Sequence, residues 1–235
     1  MGRRRKSGQR SWRTWAGGLL IVTGLGLLGY VAWQYYGTTW ISQRTQDRIV
    51  AEVRERWTLE EADAEAEAEA EAEPAVEFPE GDVTALIRIP RFGDDYVVPV
   101  LEGTSDEVLA AGYGHFEDTA DPGEIGNYAL AGHRVTHGEP LRDMPLLEPG
   151  DEVIVETRQA TYTYELTTGG DDLEIPFTET WVINPLPTNP DAGEPQPAQE
   201  EGPRLITHTT SAEIFRTDNR LIAFGVLVDR ERRVS

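Results

Sequence analysis

The stretch RLITHTTSAEIFRTDNRLIAF, residues 204–224, decides the fold class. It holds two short runs of Leu, Ile, Thr and Phe around a polar segment, which is typical of successive β-strands. Similar runs follow one another from about Gly81 onward, separated by Gly and Pro: TALIRIP, YVVPVLEG, NYALAGH, DEVIVET, ATYTYELTT, WVINP, RLITHTT and NRLIAFGVLV. The pattern predicts a mainly β domain, an antiparallel barrel or sandwich.

Two other segments of this domain have their own signals. TSDEVLAAG, residues 104–112, predicts one short helix, with Thr104 as its N-cap and Glu107 completing a capping box. The polar stretch between Gly169 and Pro203 is rich in prolines and acidic residues and is interrupted by WVINP. Such a stretch is predicted to be a loop that borders a site.

Length and composition limit the possible functions. The 235 residues, 39% of them apolar, are enough for one domain of ordinary size plus accessory segments. The 42 acidic and 21 basic residues give a net charge of −21, which repels nucleic acid and argues against it as a partner. The chain has no cysteine, which excludes disulfides, iron–sulfur clusters and thiolate zinc sites.

The N-terminal region predicts a membrane anchor. The first thirteen residues carry six basic side chains and no acidic one, and the nineteen residues from Trp15 to Trp33 carry no charge. A helix of that length spans about 28 Å, close to the ~30 Å hydrocarbon core of a bilayer. The basic block and the aromatic residues at the helix ends predict a single-pass anchor over residues 15–36, with residues 1–14 in the cytoplasm and the remainder outside the cell. A cleaved signal peptide is the alternative, but such signals are shorter and no A-x-A-like site precedes Thr38.

Residues 37–80 are predicted to form an acidic, Ala/Glu-rich stalk. Ile49, Val50, Val53 and Trp57 fall at helical spacing, so a helix is expected to continue outward from the anchor. The Ala-Glu repeat that follows places like charges four residues apart, which weakens its own helix. Pro74 and Pro79 end the segment, which is interpreted as a charged solvated spacer.

The chain has four histidines, His115, His133, His137 and His208. His133 and His137 are four residues apart, but the surrounding GNYALAGHRVTHGEP contains three glycines and a proline and leaves a strand rather than forming a helix. A zinc site there is therefore only weakly indicated, and no metal is predicted. A lone histidine at a strand end is usually a polar loop residue.

Three of the predicted strand ends carry groups with complementary chemistry. AGHR supplies an imidazole at His133, TTS supplies a hydroxyl at Ser211, and Arg220 opens the last strand with a guanidinium. Acyl transfer needs a nucleophile, a proton carrier and a donor for the oxyanion. Spacing alone leaves open that Arg220 is simply an exposed charge at the start of a strand.

The residues also resemble a known family. GHFEDTADPGEIGNYALAGHRVTHGEPLRDMPLLEPGDEVIVET is similar to the first catalytic block of sortases, and TTSAEIFRTDNRLIAF to the second, in which an arginine follows nine residues after a cysteine. Ser211 and Arg220 have that spacing. The resemblance covers roughly Gly81 to Val228, and the forms GNYALAGHR and AEIFRTDNR look most like the class E group of actinobacteria.

The resemblance implies an eight-stranded sortase-type β-barrel in residues 81–235 and a membrane-anchored transpeptidase. Such an enzyme cleaves an LAxTG-like or LPxTG-like sorting signal of a surface protein between Thr and Gly. It then transfers that protein to an amine of a lipid II-like peptidoglycan precursor or to a pilin lysine, without a cofactor. The catalytic residues implied are His133, Ser211 at the cysteine position and Arg220, and the substrate-binding residues are Tyr128, Thr209 and Thr210.

Ser211 departs from the family pattern. A thiol has a reference pKa of about 8.5, so a neighbouring imidazolium can hold it as thiolate, whereas a serine hydroxyl needs a general base in the same step. The serine is explained in three ways: an engineered substitution, a natural relative that binds sorting signals without turnover, or a site retuned for serine chemistry. The sequence therefore predicts either a transpeptidase or a catalytically silent peptide-binding module.

Overall fold

The computed structural model describes residues 9–64, 76–191, 193, 195–212 and 218–233. Residues 1–8 of the basic tail, most of the Ala-Glu repeat with Pro74, and residues 213–217 of the AEIFRTDNR segment lie outside the described residues. Residues 9–64 are helical, and a β-domain follows them.

The β-domain is a closed barrel. Its strands are β1 (Val76–Phe78), β2 (Gly81–Arg88), β3 (Val98–Glu102), β4 (Tyr113–His115), β5 (Gly126–Ala131), β6 (Glu152–Glu156), β7 (Ala160–Leu166), β8 (Leu173–Pro176), β9 (Arg204–Ser211) and β10 (Asn219–Arg232). The sheet order is β1-β2-β3-β4-β5-β9-β10-β7-β6, and β6 also pairs with β2. This second pairing closes eight strands of the described chain into a ring, with β1 beside β2 and β8 beside β10 outside it. The predicted eight-stranded barrel is confirmed.

The barrel is mixed rather than purely antiparallel. β3 pairs with β4, and β5 with β9, in parallel, while the other pairings are antiparallel. A parallel pair needs a long crossover, and the chain from Gly132 to Pro203 supplies it between β5 and β9. Since parallel strands end at the same edge, the carboxyl ends of β5 and β9 meet, which the antiparallel prediction did not foresee.

Two local predictions need correction. WVINP is not a strand, because Trp181–Ile183 forms one turn of 3₁₀ helix that packs against the outside of the sheet. Helix α3, Asp106–Ala111, is capped by Ser105, whose hydroxyl accepts a hydrogen bond from the Val108 N–H, and not by Thr104. Thr104 and Ser105 are both good caps by residue type, so the sequence alone does not separate them.

Two long helices precede the barrel. Helix α1 spans Gln9–Ala32 and helix α2 spans Thr38–Ala64, with a π-helical turn at Trp33–Gly37 between them. The window Trp15–Ala32 has a mean hydropathy of 1.7 and none of it is buried in the fold, which is consistent with a membrane anchor. Helix α2 differs, because the predicted apolar residues Ile49, Val50, Val53 and Trp57 are buried against the barrel.

Candidate active site

The two faces of β9 are distinguished by its neighbours. Side chains alternate along a strand, and directly paired residues share a face. Thr210 pairs with Leu221 and His208 with Ala223, and both partners belong to the barrel core. Ser211, Thr209 and Thr207 pair instead with Arg220, Ile222 and Phe224, of which the last two belong to a separate apolar cluster outside the barrel. Ser211 therefore lies on the outer face of the sheet.

Ser211 and Arg220 are directly opposite each other. They are paired residues of the antiparallel ladder between β9 and β10, at the end of β9 and near the start of β10. Side chains at such a pair have Cβ atoms about 5 Å apart. The hydroxyl and the guanidinium thus share one edge of the outer face, and both side chains are partly exposed.

His133 reaches the same edge from β5. Ala131, the last residue of β5, pairs with Thr209, and the Gly132 N–H donates to the Thr209 carbonyl at 3.1 Å. His133 stands two residues beyond Ala131, as Ser211 stands two residues beyond Thr209. The parallel pairing thus brings the imidazole, the hydroxyl and the guanidinium of the predicted set to neighbouring strand ends.

The surroundings of His133 favour its neutral form. The pKa of His133 is lowered to about 4, chiefly by burial and also by the neighbouring His137, and Asp106 on α3 opposes both effects. The rings of His133 and His137 lie with centroids 4.7 Å apart and planes tilted by 30°. His133 is therefore an uncharged proton acceptor near pH 7.

Arg134 is a site residue that the sequence analysis missed. Its guanidinium donates to the carbonyl oxygen of Ser211 at 3.5 Å and also to the carbonyl of Ala212. It thereby ties the loop after β5 to the end of β9, and so fixes His133 relative to Ser211. The signal was present in the GHR triplet, where Arg134 follows the histidine, but nothing in the sequence showed which carbonyls it would meet.

An aromatic residue flanks Arg220. Phe177, just after β8, has its ring centroid 5.9 Å from the Arg220 guanidinium carbon and is 55% exposed. Its N–H donates to the Asp218 carbonyl at 2.6 Å, which fixes the chain after β8 next to the start of β10. The prediction that residues 169–203 border the site matches this position.

The predicted substrate-binding residues lie on different faces. Thr209 shares the outer face with Ser211 and is 8% exposed. Thr210 points inward, and its hydroxyl donates to the Gly132 carbonyl at 2.7 Å. Tyr128 is 1% exposed, and its ring lies in the barrel core against His115, at 4.8 Å between centroids. A groove-lining role for Tyr128 stays a prediction, and its burial weighs against that role.

No group of three or more histidines and carboxylates is arranged to hold a metal ion among the residues that the structure describes. The rings of His133 and His137, four residues apart, instead lie against each other.

Comparisons with known proteins identify the family to which this fold belongs. Residues 87–228 match the sortase domain model. The chain is 33% identical over 227 residues to sortase SrtE1 of Streptomyces coelicolor. This alignment covers 92% of this chain and 57% of SrtE1. The structure of sortase E from Streptomyces avermitilis matches with a TM-score of 0.56 and 36% identity, over 66% of this chain and 93% of the other.

A third similar structure is sortase E1 from Streptomyces coelicolor, solved with a tripeptide in its active site. It has a TM-score of 0.52 and 33% identity, and covers 67% of this chain and 94% of that one. A mainly β barrel with these strand-end residues and a sortase domain match over more than half of its length places this chain in the sortase family. Within the family it is similar to the class E sortases of Streptomyces. It spans little more than half the length of SrtE1.

Proposed function

We propose that this chain is a membrane-anchored sortase-type transpeptidase that cleaves an LAxTG-like or LPxTG-like sorting signal between Thr and Gly. The observation that carries the proposal is the pairing of Ser211 with Arg220, with His133 at the end of the adjacent parallel strand. Membership of the sortase family and the tripeptide in the active site of the similar sortase E1 support a peptide substrate.

Each group has one role in the proposed reaction. The Ser211 oxygen attacks the carbonyl carbon of the threonine, and its proton passes to the neutral imidazole of His133. Arg220 donates hydrogen bonds to the oxyanion of the tetrahedral intermediate. When the intermediate collapses, the glycine nitrogen leaves with the proton held by His133. An acceptor amine then attacks the acyl-enzyme ester, and Ser211 recovers its proton through the same imidazole.

The electrostatics of His133 decide how a serine could work at this position. A thiolate–imidazolium pair requires a protonated histidine, whereas a hydroxyl requires a neutral one as general base. With a pKa lowered to about 4, His133 is neutral near pH 7 and meets the second requirement. Asp106 is the carboxylate that acts on this imidazole and raises its pKa, so it is the candidate for stabilising the imidazolium formed during the reaction.

A second candidate function is a sorting-signal binding module without turnover. It is favoured by Ser211 itself, because a hydroxyl is a far weaker nucleophile than the thiol that the family uses. The pairing with Arg220 is unaffected by the nucleophile, so the surface that would recognise the peptide stays intact. In both cases the ligand is a surface protein carrying a sorting signal.

The location follows from the anchor. Residues 15–36 span the membrane with the N-terminus in the cytoplasm, and the barrel lies outside the cell. There it meets the surface proteins and the acceptor, a lipid II-like peptidoglycan amine or a pilin lysine. The proposed chemistry needs no cofactor, since the proton carrier and the oxyanion donor both belong to the chain.

The decisive experiment compares Ser211→Cys and Ser211→Ala with the unmodified full chain in detergent micelles. Each is incubated with an LAxTG peptide and a glycine-type amine, and cleavage and ligation products are followed by mass spectrometry. Peptide affinity is measured in parallel on the unmodified chain and on Ser211→Cys. Removing the nucleophile of a catalytic triad costs on the order of 10⁶ in turnover, so Ser211→Ala sets the background.

Three outcomes separate the candidates. Product from the unmodified chain above the Ser211→Ala background establishes a serine transpeptidase. Product from Ser211→Cys alone, with peptide bound by both forms, establishes the binding module on a competent sortase scaffold. If Ser211→Cys gives no product and the unmodified chain binds no peptide, both candidates are rejected.

A further inference from the structure

Helix α2 belongs to the folded unit of the barrel. Its buried face contributes Ile49, Val50, Val53 and Trp57 to an apolar cluster. The other members are Val83, Leu86 and Leu101 of the barrel strands and Val108 and Ala111 of helix α3. Trp57 is 4% exposed and Ile49 is fully buried. Burying these four apolar side chains removes their surface from water and so stabilises the contact. The segment interpreted as a spacer is therefore docked along this face.

The same helix contacts the loop that follows His133. The Gln46 side chain, 6% exposed, donates from Nε2 to the His137 carbonyl at 3.3 Å. One to two turns earlier, the Thr39 hydroxyl donates to Glu139 Oε1 at 3.3 Å. Helix α2 thus donates hydrogen bonds to two residues of the loop, to the main chain of His137 and to the side chain of Glu139.

This loop adopts a conformation that needs support from outside. His137 and Glu139 have φ values of +56° and +54°, and Gly138 between them has +83°. Positive φ is uncommon for residues other than glycine and persists where the surroundings hold it. The Gln46 amide lies directly against Gly138, where a Cβ would clash with it. Gln46 therefore fills the space next to the strained turn.

The conformation of this loop places the His137 ring next to the His133 ring. The His137 ring lies against the His133 ring, with centroids 4.7 Å apart and planes tilted by 30°, and the His137 Nδ1 lies 3.0 Å from the Thr136 hydroxyl. The charged groups around this pair come from three elements. Asp106 on α3 raises the pKa of both rings. The Arg134 guanidinium donates to the carbonyls of Ser211 and Ala212. The Glu139 carboxylate accepts hydrogen bonds from Thr39 of α2 and from Arg142.

We propose that helix α2 supports the catalytic site. Through Gln46 it fixes the loop after β5, so that the ring of His137, a positioning residue, covers the ring of His133. The effects of this arrangement on catalysis rest on the proposed function, whereas the contacts between α2 and the loop do not. By covering the imidazole, His137 excludes water from it and keeps it neutral. Both the burial of His133 and its neighbour His137 lower the His133 pKa, which agrees with this arrangement.

The test is a titration of the histidine rings in the full chain, labelled with ¹⁵N and held in detergent micelles. With only four histidines, single replacements assign every ring signal. Replacing His137 with alanine opens the ring face to water and removes a neighbouring cation, and both changes raise the pKa of His133. We expect His137→Ala to raise it by about one unit or more, and His137→Phe to leave it clearly depressed, because the phenyl ring restores the cover.

Helix α2 is tested with a matched pair of glutamines. Gln46→Ala releases the loop and shifts the His133 titration in the same direction as His137→Ala, by a smaller amount. Gln43→Ala removes an exposed glutamine one turn earlier on the same helix and is expected to leave the titration unchanged. Thermal unfolding of every variant shows that the barrel is retained, so that a titration shift reports the loop.

Activity supplies the second measurement. In the Ser211→Cys background the reactive pair needs an imidazolium, so His137→Ala, by raising the His133 pKa, is expected to raise kcat several-fold with little change in KM, and His137→Phe to leave kcat near the value of Ser211→Cys alone. If Ser211→Cys proves inactive, the proposed function fails but the ring titrations still decide the inference. The inference is overturned if His137→Ala leaves the His133 titration unchanged, or if Gln43→Ala shifts it as far as Gln46→Ala does.

Discussion

The outer and inner faces of β9 have opposite tasks although their residues alternate along eight positions of one strand. The outer face ends in Ser211, partly exposed and paired with Arg220. The inner face carries Thr210 and His208, both buried, one bonded to the Gly132 carbonyl and the other packed against Tyr113. Substitutions on the outer face should therefore change activity, whereas those on the inner face should change stability.

The largest effect is expected at Arg220, on the outer face. In the Ser211→Cys background, Arg220→Ala removes the proposed oxyanion donor and should lower kcat/KM by about 10²–10³-fold. The free energy of unfolding should change by less than about 0.5 kcal/mol, because the side chain is partly exposed. Steady-state kinetics and urea unfolding measure the two quantities.

Arg230 provides the control for this substitution. It lies on the same strand, is exposed, and stacks over Tyr162 at 5.3 Å, far along β10 from Ser211. Arg230→Ala should leave kcat/KM within about twofold, as expected for a surface side chain away from the site. Equal losses of activity in Arg220→Ala and Arg230→Ala would show that Arg220 has no special role.

Much of the fold was readable from the sequence, because the strand signals are local. Seven of the eight predicted runs contain a strand, and the exception, WVINP, is apolar because it packs on Ile222 and Phe224 from outside. The short strands β1, β4 and β8 have three or four residues each, too few to show alternation. The apolar residues of α2 were predicted as one helical face, but a helical period does not reveal what covers that face.

The site was readable only as a set of residue types. His133, Ser211 and Arg220 were predicted to converge, and the parallel pairing of β5 with β9 supplies the reason. The contacts of Arg134 and Gln46 depend on carbonyls that are distant in sequence, which no local pattern reports. The inward orientation of Tyr128 and Thr210 follows from register, since a shift of one residue exchanges the two faces of a strand.

The next effect concerns His208, on the inner face. Its side chain is fully buried, neither ring nitrogen bonds another described residue, and burial lowers its pKa to about 4. An unfolded chain takes up the proton near pH 6.5 but the folded one does not, so stability is lost as the pH falls from about 6.5 toward 4. Between pH 7 and pH 4.5 this should cost about 2–3 kcal/mol, and His208→Leu should remove that part of the loss.

Urea unfolding in micelles at the two pH values measures this difference. Ser211→Ala, on the outer face, is the control and should keep the full acid sensitivity of the unmodified chain. His133 also titrates in this range, but it is present in both variants and its contribution cancels. Identical acid losses with His208 and with leucine would mean that the buried ring is not what makes the barrel acid-sensitive.

The smallest effect compares two adjacent threonines on opposite faces. Thr210→Val keeps the shape but removes the hydrogen bond to the Gly132 carbonyl, which should cost about 1 kcal/mol of unfolding free energy. Thr209→Val should change that free energy by less than about 0.5 kcal/mol, because the Thr209 side chain lies on the outer face of the sheet and not in the barrel core. Urea unfolding measures the free energies of the two variants. Since Gly132 directly precedes His133, the lost hydrogen bond also loosens the strand end that carries the imidazole, so Thr210→Val on the inner face is expected to affect the site on the outer face as well. If Thr209→Val were the more destabilising substitution, the division of β9 into a functional and a structural face would be wrong.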